Sequence, residues 1–300
     1  MWINPKVNEI NDDMSPFAII KKDSGTTYEL VPNSSKTVQP VALLRLSVFT
    51  PVSPREKGKR DFQIDASEEL SSLEVARQEG YTNIKIQGAK LGMSTDFKTW
   101  IGIISAFSKY GYSSDKITMP FSEFARMCGL RPTDINGRAR NRLNDSLFNL
   151  SSVTLSFRSK DGKRSLITHL VQRAVLDMES DVVEIVGDPS LWELYRYDHK
   201  VLLGLKALSE LSRKEAAQSL YVYFESMPAG TLYVSMKRLR ERLAMESQIK
   251  DQNAIIRRAM GDLRRIGYLD YNEVKKGREI MFIIHNRSPK LGLTTPPNPD

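Results

Sequence analysis

The chain has 300 residues, 40% of them apolar and 27% charged, and its 44 Lys and Arg against 36 Asp and Glu give a formal net charge of +8. That composition can fill ordinary cores in two domains and excludes disorder for most of the length. A single cysteine, Cys128, excludes an internal disulfide and any cysteine-based zinc site, and the longest apolar run, Trp100 to Phe107, falls far short of the ~20 residues of a membrane span.

Residues 1 to 24 show no hydrophobic period and are expected to form a poorly ordered tail. Residues 25 to 95 are expected to form an extension packed on the first domain. Within it, Thr37 to Phe49 reads as a strand, Pro51 to Lys59 as an exposed loop, Asp65 to Glu79 as a helix closing at Gly80, and Ile84 to Gln87 as a short strand. Asp96 is an N-cap candidate ahead of Phe97, Trp100, Ile101, Ile104, Phe107 and Ser108 at helical spacing. A second helix runs from Pro120 to Met127 and stops at Gly129. A third, from about Thr133 to Leu150, carries Arg138, Arg140 and Arg142 on a scaffold of Leu143, Leu147 and Leu150. A hairpin follows, Val153 to Phe157 and Leu166 to Leu170, with Lys160, Gly162, Lys163 and Arg164 at its tip. Val182 to Val186 adds a strand, and Pro189 opens a short helix to Tyr195.

The pattern then repeats. Val201 to Leu208 begins the second unit, Ser212 and Glu215 form a capping box for a helix through Ser226, and Ser235 caps the next helix through Leu243. The last helix, about Ile249 to Ile266, ends at Gly267. Its hairpin is Tyr268 to Tyr271 and Ile280 to Ile284, with Lys275, Lys276, Gly277 and Arg278 at the tip. Residues 291 to 300 are a tail. Adding 115 to the residue number carries Phe121 onto Met236, Phe124 onto Leu239, Phe148 onto Leu263 and Gly162 onto Gly277. A helix-turn-helix followed by a hairpin is the winged-helix arrangement. The fold expected is therefore α+β: two tandem winged-helix domains, 96–190 and 191–290, plus a partly extended N-terminal segment.

The charge follows the repeat. Residues 231 to 290 hold fourteen Lys and Arg against seven Asp and Glu, and residues 126 to 164 hold nine against three. Such surfaces suit a polyanion, and double-stranded DNA is the expected partner. In the last helix Ile256, Ala259, Met260, Leu263 and Ile266 form a buried stripe. The opposite face carries Lys250, Asp251, Ala254, Arg257, Arg258, Gly261 and Arg265, and the small Ala254 and Gly261 permit close approach to a groove floor. Ser247, Lys250, Asp251, Ala254, Arg257 and Arg258 are placed to meet base edges, where Arg or Lys donates to guanine O6 and N7. Lys237, Arg238, Arg240 and Arg242, with Lys275, Lys276 and Arg278 on the wing, suit phosphates.

Chemistry of other kinds has no carrier. No Walker A sequence occurs, and His169, His199 and His285 are far apart, so a nickase's His-x-His metal pair is missing. Tyr221 and Tyr223 read as core and surface of one helix, and Cys128 as a small core residue. The protein is expected to be no enzyme, to need no cofactor or metal, and, lacking a signal peptide at Met1-Trp2-Ile3, to be cytoplasmic and free of membranes.

Five stretches resemble the iteron-binding RepA-type plasmid replication initiators of FIB-group plasmids and phage-plasmids: Asn33 to Phe49, Asp96 to Ile104, Lys200 to Pro228, Ala259 to Tyr271 and His285 to Leu291. The resemblance implies binding of iteron repeats at an origin as a monomer, and of a promoter inverted repeat as a self-repressing homodimer. It implies Hsp70- and Hsp40-class chaperones as converters of dimer to monomer, and the host replication initiator and replicative helicase as partners. It also implies that the second domain reads sequence while the first dimerises and touches the DNA backbone. A winged-helix transcriptional repressor without initiator activity would share every DNA-binding feature, and an interaction scaffold is a third possibility with less need of so basic a helix.

Overall fold

The computed structural model describes residues 15–287, apart from 24–25, 54–55, 57–61, 66, 68–79, 112–114, 178, 190, 193–194 and 196–198. The N-terminal part opens with an antiparallel hairpin, β1 (Ile19–Asp23) and β2 (Thr26–Leu30). Residues 16 to 18, expected in a loose tail, are buried: Phe17 is fully so, its ring 5.1 Å from those of Trp192 and Tyr195. The stretch expected as one strand from Thr37 to Phe49 is instead β3 (Lys36–Pro40), helix α1 (Val41–Arg45) and β4 (Phe49–Thr50). Val41, Ala42, Leu43 and Leu44 are all buried. A helix apolar all round has no 3.6-residue period to distinguish it from an interior strand. Next come β5 (Phe62–Asp65), β6 (Tyr81–Gly88) and β7 (Leu91–Gly92). The helix expected between Asp65 and Glu79 lies outside the described residues, as do the tail from 291 and most of the loop after Pro51.

The first winged helix consists of α2 (Asp96–Tyr110), β8 (Lys116–Pro120), α3 (Phe121–Met127), α4 (Gly137–Ser151) and the wing strands β9 (Thr154–Ser159) and β10 (Ser165–His169). A second hairpin, β11 (Arg173–Asp177) and β12 (Val182–Val186), follows. Asp96 is the first helical residue rather than the cap; its buried carboxylate accepts from the Gly92 amide at 2.8 Å. Asn136 caps α4, accepting from the Ala139 amide at 3.1 Å. Beyond β12, Leu191, Trp192 and Tyr195 are buried, while much of the expected short helix around them lies outside the described residues.

The second winged helix follows β13 (Lys200–Gly204) and α5 (Leu205–Glu210). It comprises α6 (Glu215–Glu225), β14 (Leu232–Ser235), α7 (Met236–Leu243), α8 (Ile249–Arg265), β15 (Leu269–Lys276) and β16 (Glu279–Arg287). Ser235 caps α7 through the Arg238 amide at 3.1 Å, as its sequence suggests. Ser212 caps nothing; α6 starts at Glu215 without a side-chain cap.

The internal repeat is real in three dimensions, with two departures. Phe121 and Phe124 match the buried Met236 and Leu239, and the tip glycines Gly162 and Gly277 both have positive φ, +69° and +62°. Only glycine adopts that turn geometry without strain. Phe148, however, is 53% exposed, and its buried neighbour Leu147 occupies the place of Leu263. The offset is therefore one larger along this helix. The sheets also differ. In the second unit β14, β16 and β15 form one antiparallel sheet in that order. In the first, β8 pairs with β12 and then β11, while the wing joins β6 and β5 in the order β10-β9-β6-β5.

The N-terminal segment is wedged between the two units and bonded to both. Strand β3 pairs with β13, Lys200 opposite Pro40 and Gly204 opposite Lys36. The fully buried Gln39 accepts at 3.0 Å from both Trp100 Nε1 and the Tyr195 hydroxyl and donates to Thr37 Oγ1 at 3.0 Å. An apolar replacement there would leave two buried donors unpaired, at about 1–3 kcal/mol each. The Glu215 carboxylate accepts from the amides of Val52 at 2.9 Å and Ser94 at 3.2 Å. Lys90 pairs with Glu56 in the interior, so the loop after Pro51 is not wholly exposed, and also donates to the Ala244 carbonyl at 2.8 Å. Burial works against ionisation of Glu56, but its bonds to Lys90 and Ser53 hold the carboxyl below the usual range.

Candidate nucleic-acid interface

Helix α8 is amphipathic by construction. Ile256, Ala259, Met260 and Leu263 are buried, and Ile266 packs against the same core, so the opposite face is turned to solvent. That face presents Lys250, Asp251, Ala254, Arg257, Arg258, Gly261 and Arg265, all exposed. Ser247 is exposed in the turn before it, where Gln252 holds the backbone by donating to the Met245 carbonyl at 2.9 Å. At Gly261 an added Cβ would touch nothing within 4 Å. Packing within the chain therefore does not require glycine there. An apolar residue that periodicity did not single out, Ile249, stands 63% exposed at the start of the helix.

Side chains of the helix reach across to the wing. The Arg264 guanidinium lies 3.9 Å from the centroid of the Tyr271 ring and donates to the Tyr271 carbonyl. Arg257 reaches the wing strand and grips Glu273, Nε to the two carboxylate oxygens at 3.0 and 3.1 Å and Nη2 to Oε1 at 2.8 Å. The hydrogen bonds that Arg257 donates to the Glu273 carboxylate hold its guanidinium above its ordinary value. Lys275, Lys276 and Arg278 are exposed at the tip.

The cations before α8 are more committed. Lys237 is exposed, 3.8 Å from Glu241. Arg238 donates from Nε to the Tyr223 hydroxyl at 2.8 Å and Arg240 to Asn253 at 2.8 Å, while Arg265 pairs with Asp262 at 2.8 Å. Arg258 is exposed and makes no hydrogen bond to a described residue. Arg242, expected to meet phosphate, does not: it is 2% exposed and donates to the Leu44 carbonyl at 3.0 Å. A count of charges along a sequence does not register burial. Tyr223 likewise is fully buried, not a surface residue, with its hydroxyl receiving Arg238.

In the first unit Arg138 and Arg142 are exposed on α4, and Lys160, Lys163 and Arg164 at the wing tip. Arg140 is withdrawn. It is ion-paired with Asp181, its guanidinium 4.3 Å from the Phe121 ring centroid, because the β11–β12 hairpin turns Asp181 toward it. The Asp181 carbonyl also accepts the first amide of α3 at 2.9 Å. Nothing in the spacing of basic residues points to that partner, 41 positions away.

Among the described residues no three His, Cys, Asp or Glu side chains are grouped to hold a metal, and no helix is long and apolar enough to cross a membrane. Cys128 is buried, which pushes its thiol far above the ordinary range and leaves it a core residue.

By architecture, then, this is a tandem winged-helix protein with a basic exposed helix and wing in its second half. Residues 101–225 match the family model described as Initiator Replication protein, WH1. The chain is 47% identical over 284 residues to a Replication protein RepA of Salmonella typhi, covering 94% of this chain and 81% of that one. It is 46% identical over 275 residues to a RepFIB replication protein A of Escherichia coli, covering 90% and 85%. Among solved structures, domains 2 and 3 of RctB superpose with a TM-score of 0.50 at 13% identity, over 79% of this chain and 94% of that one. The chain belongs to the RepA family of plasmid replication initiators.

Proposed function

We propose that the chain binds repeated sites in double-stranded DNA at its plasmid origin, as a monomer that applies both winged helices to one repeat. Residues 96–190 and 191–290 are the two units. The observation that carries this is the exposed face of α8, running from Lys250 to Gly261 and continued by Lys275, Lys276 and Arg278. Arg257 and Arg258 are the base readers. Ser247, Lys250, Ala254 and Gly261 line the same lane, and Lys237, Arg238, Arg240 and Arg265 flank it toward the phosphates. Arg138, Arg142, Lys160, Lys163 and Arg164 give the first unit its backbone contacts, with Arg140 serving the fold.

In the same scheme a dimer represses the protein's own promoter through the same α8. Chaperones of the Hsp70 and Hsp40 classes release monomers, and the bound monomer helps the host initiator admit the replicative helicase. The test is a footprint of the full chain on DNA flanking its own gene, over a salt series. Protection of short direct repeats with affinity falling by orders of magnitude between low and moderate salt is the expected result. Salt-indifferent binding would refute it, and failure of the chain supplied in trans to maintain a plasmid bearing only those repeats would leave a repressor.

A further inference from the structure

Glu273 is an acid set among the basic residues of helix and wing. It stands on β15, two positions before Lys275, and faces Arg257 across the joint between helix and wing. An acid so placed repels phosphate. The pair is also open to water, with side-chain exposures of 46% for Arg257 and 34% for Glu273, so it does little for the fold. Its geometry supplies another role. Glu273 takes the Nε edge of the guanidinium together with one hydrogen of Nη2. The end of the fork, Nη1 and the second hydrogen of Nη2, is left unclaimed. Two parallel N–H groups on that edge are what guanine O6 and N7 accept in the major groove. An arginine already held in one orientation loses less freedom on docking than one swinging in water. Ala254 and Gly261, three positions before and four after, leave space on both sides of it along the helix.

We propose that Glu273 is a specificity-determining positioning residue, which holds Arg257 from the wing so that its free edge reads one guanine. The assignment rests on the DNA-binding function proposed above. It divides labour between neighbouring arginines: Arg257 is steered by the wing, whereas Arg258 has no such partner. Coupling helix to wing in this way also makes the base preference of the helix depend on a residue outside it.

The experiment uses the full chain and a duplex carrying one footprinted repeat, with a panel in which each base pair is changed in turn. Wild type, Arg257→Ala, Glu273→Gln, Glu273→Ala and the double variant Arg257→Ala with Glu273→Gln are compared by fluorescence anisotropy at fixed salt. Thermal midpoints check that each is folded. Glu273→Gln is expected to lose about tenfold of preference at a single G·C pair, the same pair at which Arg257→Ala loses preference. Affinity for unrelated DNA should hold or rise, and the double variant should discriminate no worse than Arg257→Ala alone. If Glu273→Gln tightens binding to every sequence and leaves the preference profile intact, Glu273 merely repels DNA and the proposal falls. Loss of preference at different base pairs in the two single variants would also overturn it. A wild-type chain that shifts no DNA at low salt would instead remove the DNA-binding function itself.

Discussion

Arg242 and Leu44 lie 198 positions apart in the chain, and the guanidinium of the first donates to the backbone carbonyl of the second at 3.0 Å inside the protein. A second nitrogen reaches the Phe49 carbonyl at 3.5 Å, and the Tyr223 ring lies 5.7 Å from the guanidinium carbon. This arginine of α7 therefore fastens the N-terminal segment to the second winged helix. Arg242→Ala is expected to lower unfolding free energy by about 2–4 kcal/mol, since buried carbonyls lose their donor and a cavity opens. Arg242→Lys should recover little, because one ammonium does not reproduce the planar fork. Urea unfolding measures both, and full stability in the alanine variant would contradict this role.

Gly261 offers a test in which stability and binding move in opposite directions. Glycine within a helix costs roughly 0.5–1 kcal/mol relative to alanine, and here an alanine methyl would meet nothing. Gly261→Ala should raise the denaturation midpoint and, if α8 enters the groove as proposed, weaken DNA binding about tenfold, because the methyl would stand on the face turned to the groove floor. Unchanged DNA affinity would show that the backbone does not come close.

The wing lysines and Arg258 should separate by the kind of loss they cause. Lys275→Ala or Lys276→Ala is expected to weaken binding evenly across sequences and to reduce the salt slope by about 1. Arg258→Ala should cost about 1–3 kcal/mol at one position of the site. Titrations on matched and altered duplexes at several salt concentrations distinguish the two patterns, and an identical response from all three variants would contradict the division into readers and anchors.

Glu225, under the second sheet, supplies a pH dependence. Burial raises its carboxyl above the ordinary range, although the Tyr268 hydroxyl donates to it at 2.5 Å and Arg287 is near. A carboxyl raised on folding binds its proton more tightly in the folded chain. Its contribution therefore declines as pH climbs from the unfolded value through the raised one, and is least favourable above both. Glu225→Gln, which still accepts from Tyr268, should flatten that part of the profile and be at least as stable as wild type near neutrality. Urea midpoints of the two proteins from about pH 4 to about pH 7 give the answer. Parallel profiles would exclude Glu225 as the titrating group.

What could be read beforehand was local. The stripe from Ile256 to Leu263, the Ser235 cap and the tips at Gly162 and Gly277 each declare themselves within a few residues, through period, cap chemistry or turn geometry. Pairings between distant segments do not. Nothing near Lys116 to Pro120 says that β8 joins β12 rather than its own wing, and nothing near Glu215 says that its carboxylate serves Val52 and Ser94 instead of capping α6. The candidate interface divided the same way. Charge density found α8 and the wing, yet it could not tell Arg258, open to solvent, from Arg242, sealed inside, or from Arg140, claimed by Asp181. Glu273 escaped notice because a search for basic residues passes over an acid.

Strand β15 is the outermost member of its sheet, and one flank of its eight residues offers backbone donors and acceptors to any passing strand. Asp270, Glu273, Lys275 and Lys276 lie along it. Closely spaced charges on such a border discourage a second copy from adding itself there. The wing proposed to meet DNA thus also guards an open sheet edge with its own charges. Variants stripped of these charges to abolish binding would acquire an adhesive rim, so precipitation should be measured before any loss of activity is credited to DNA.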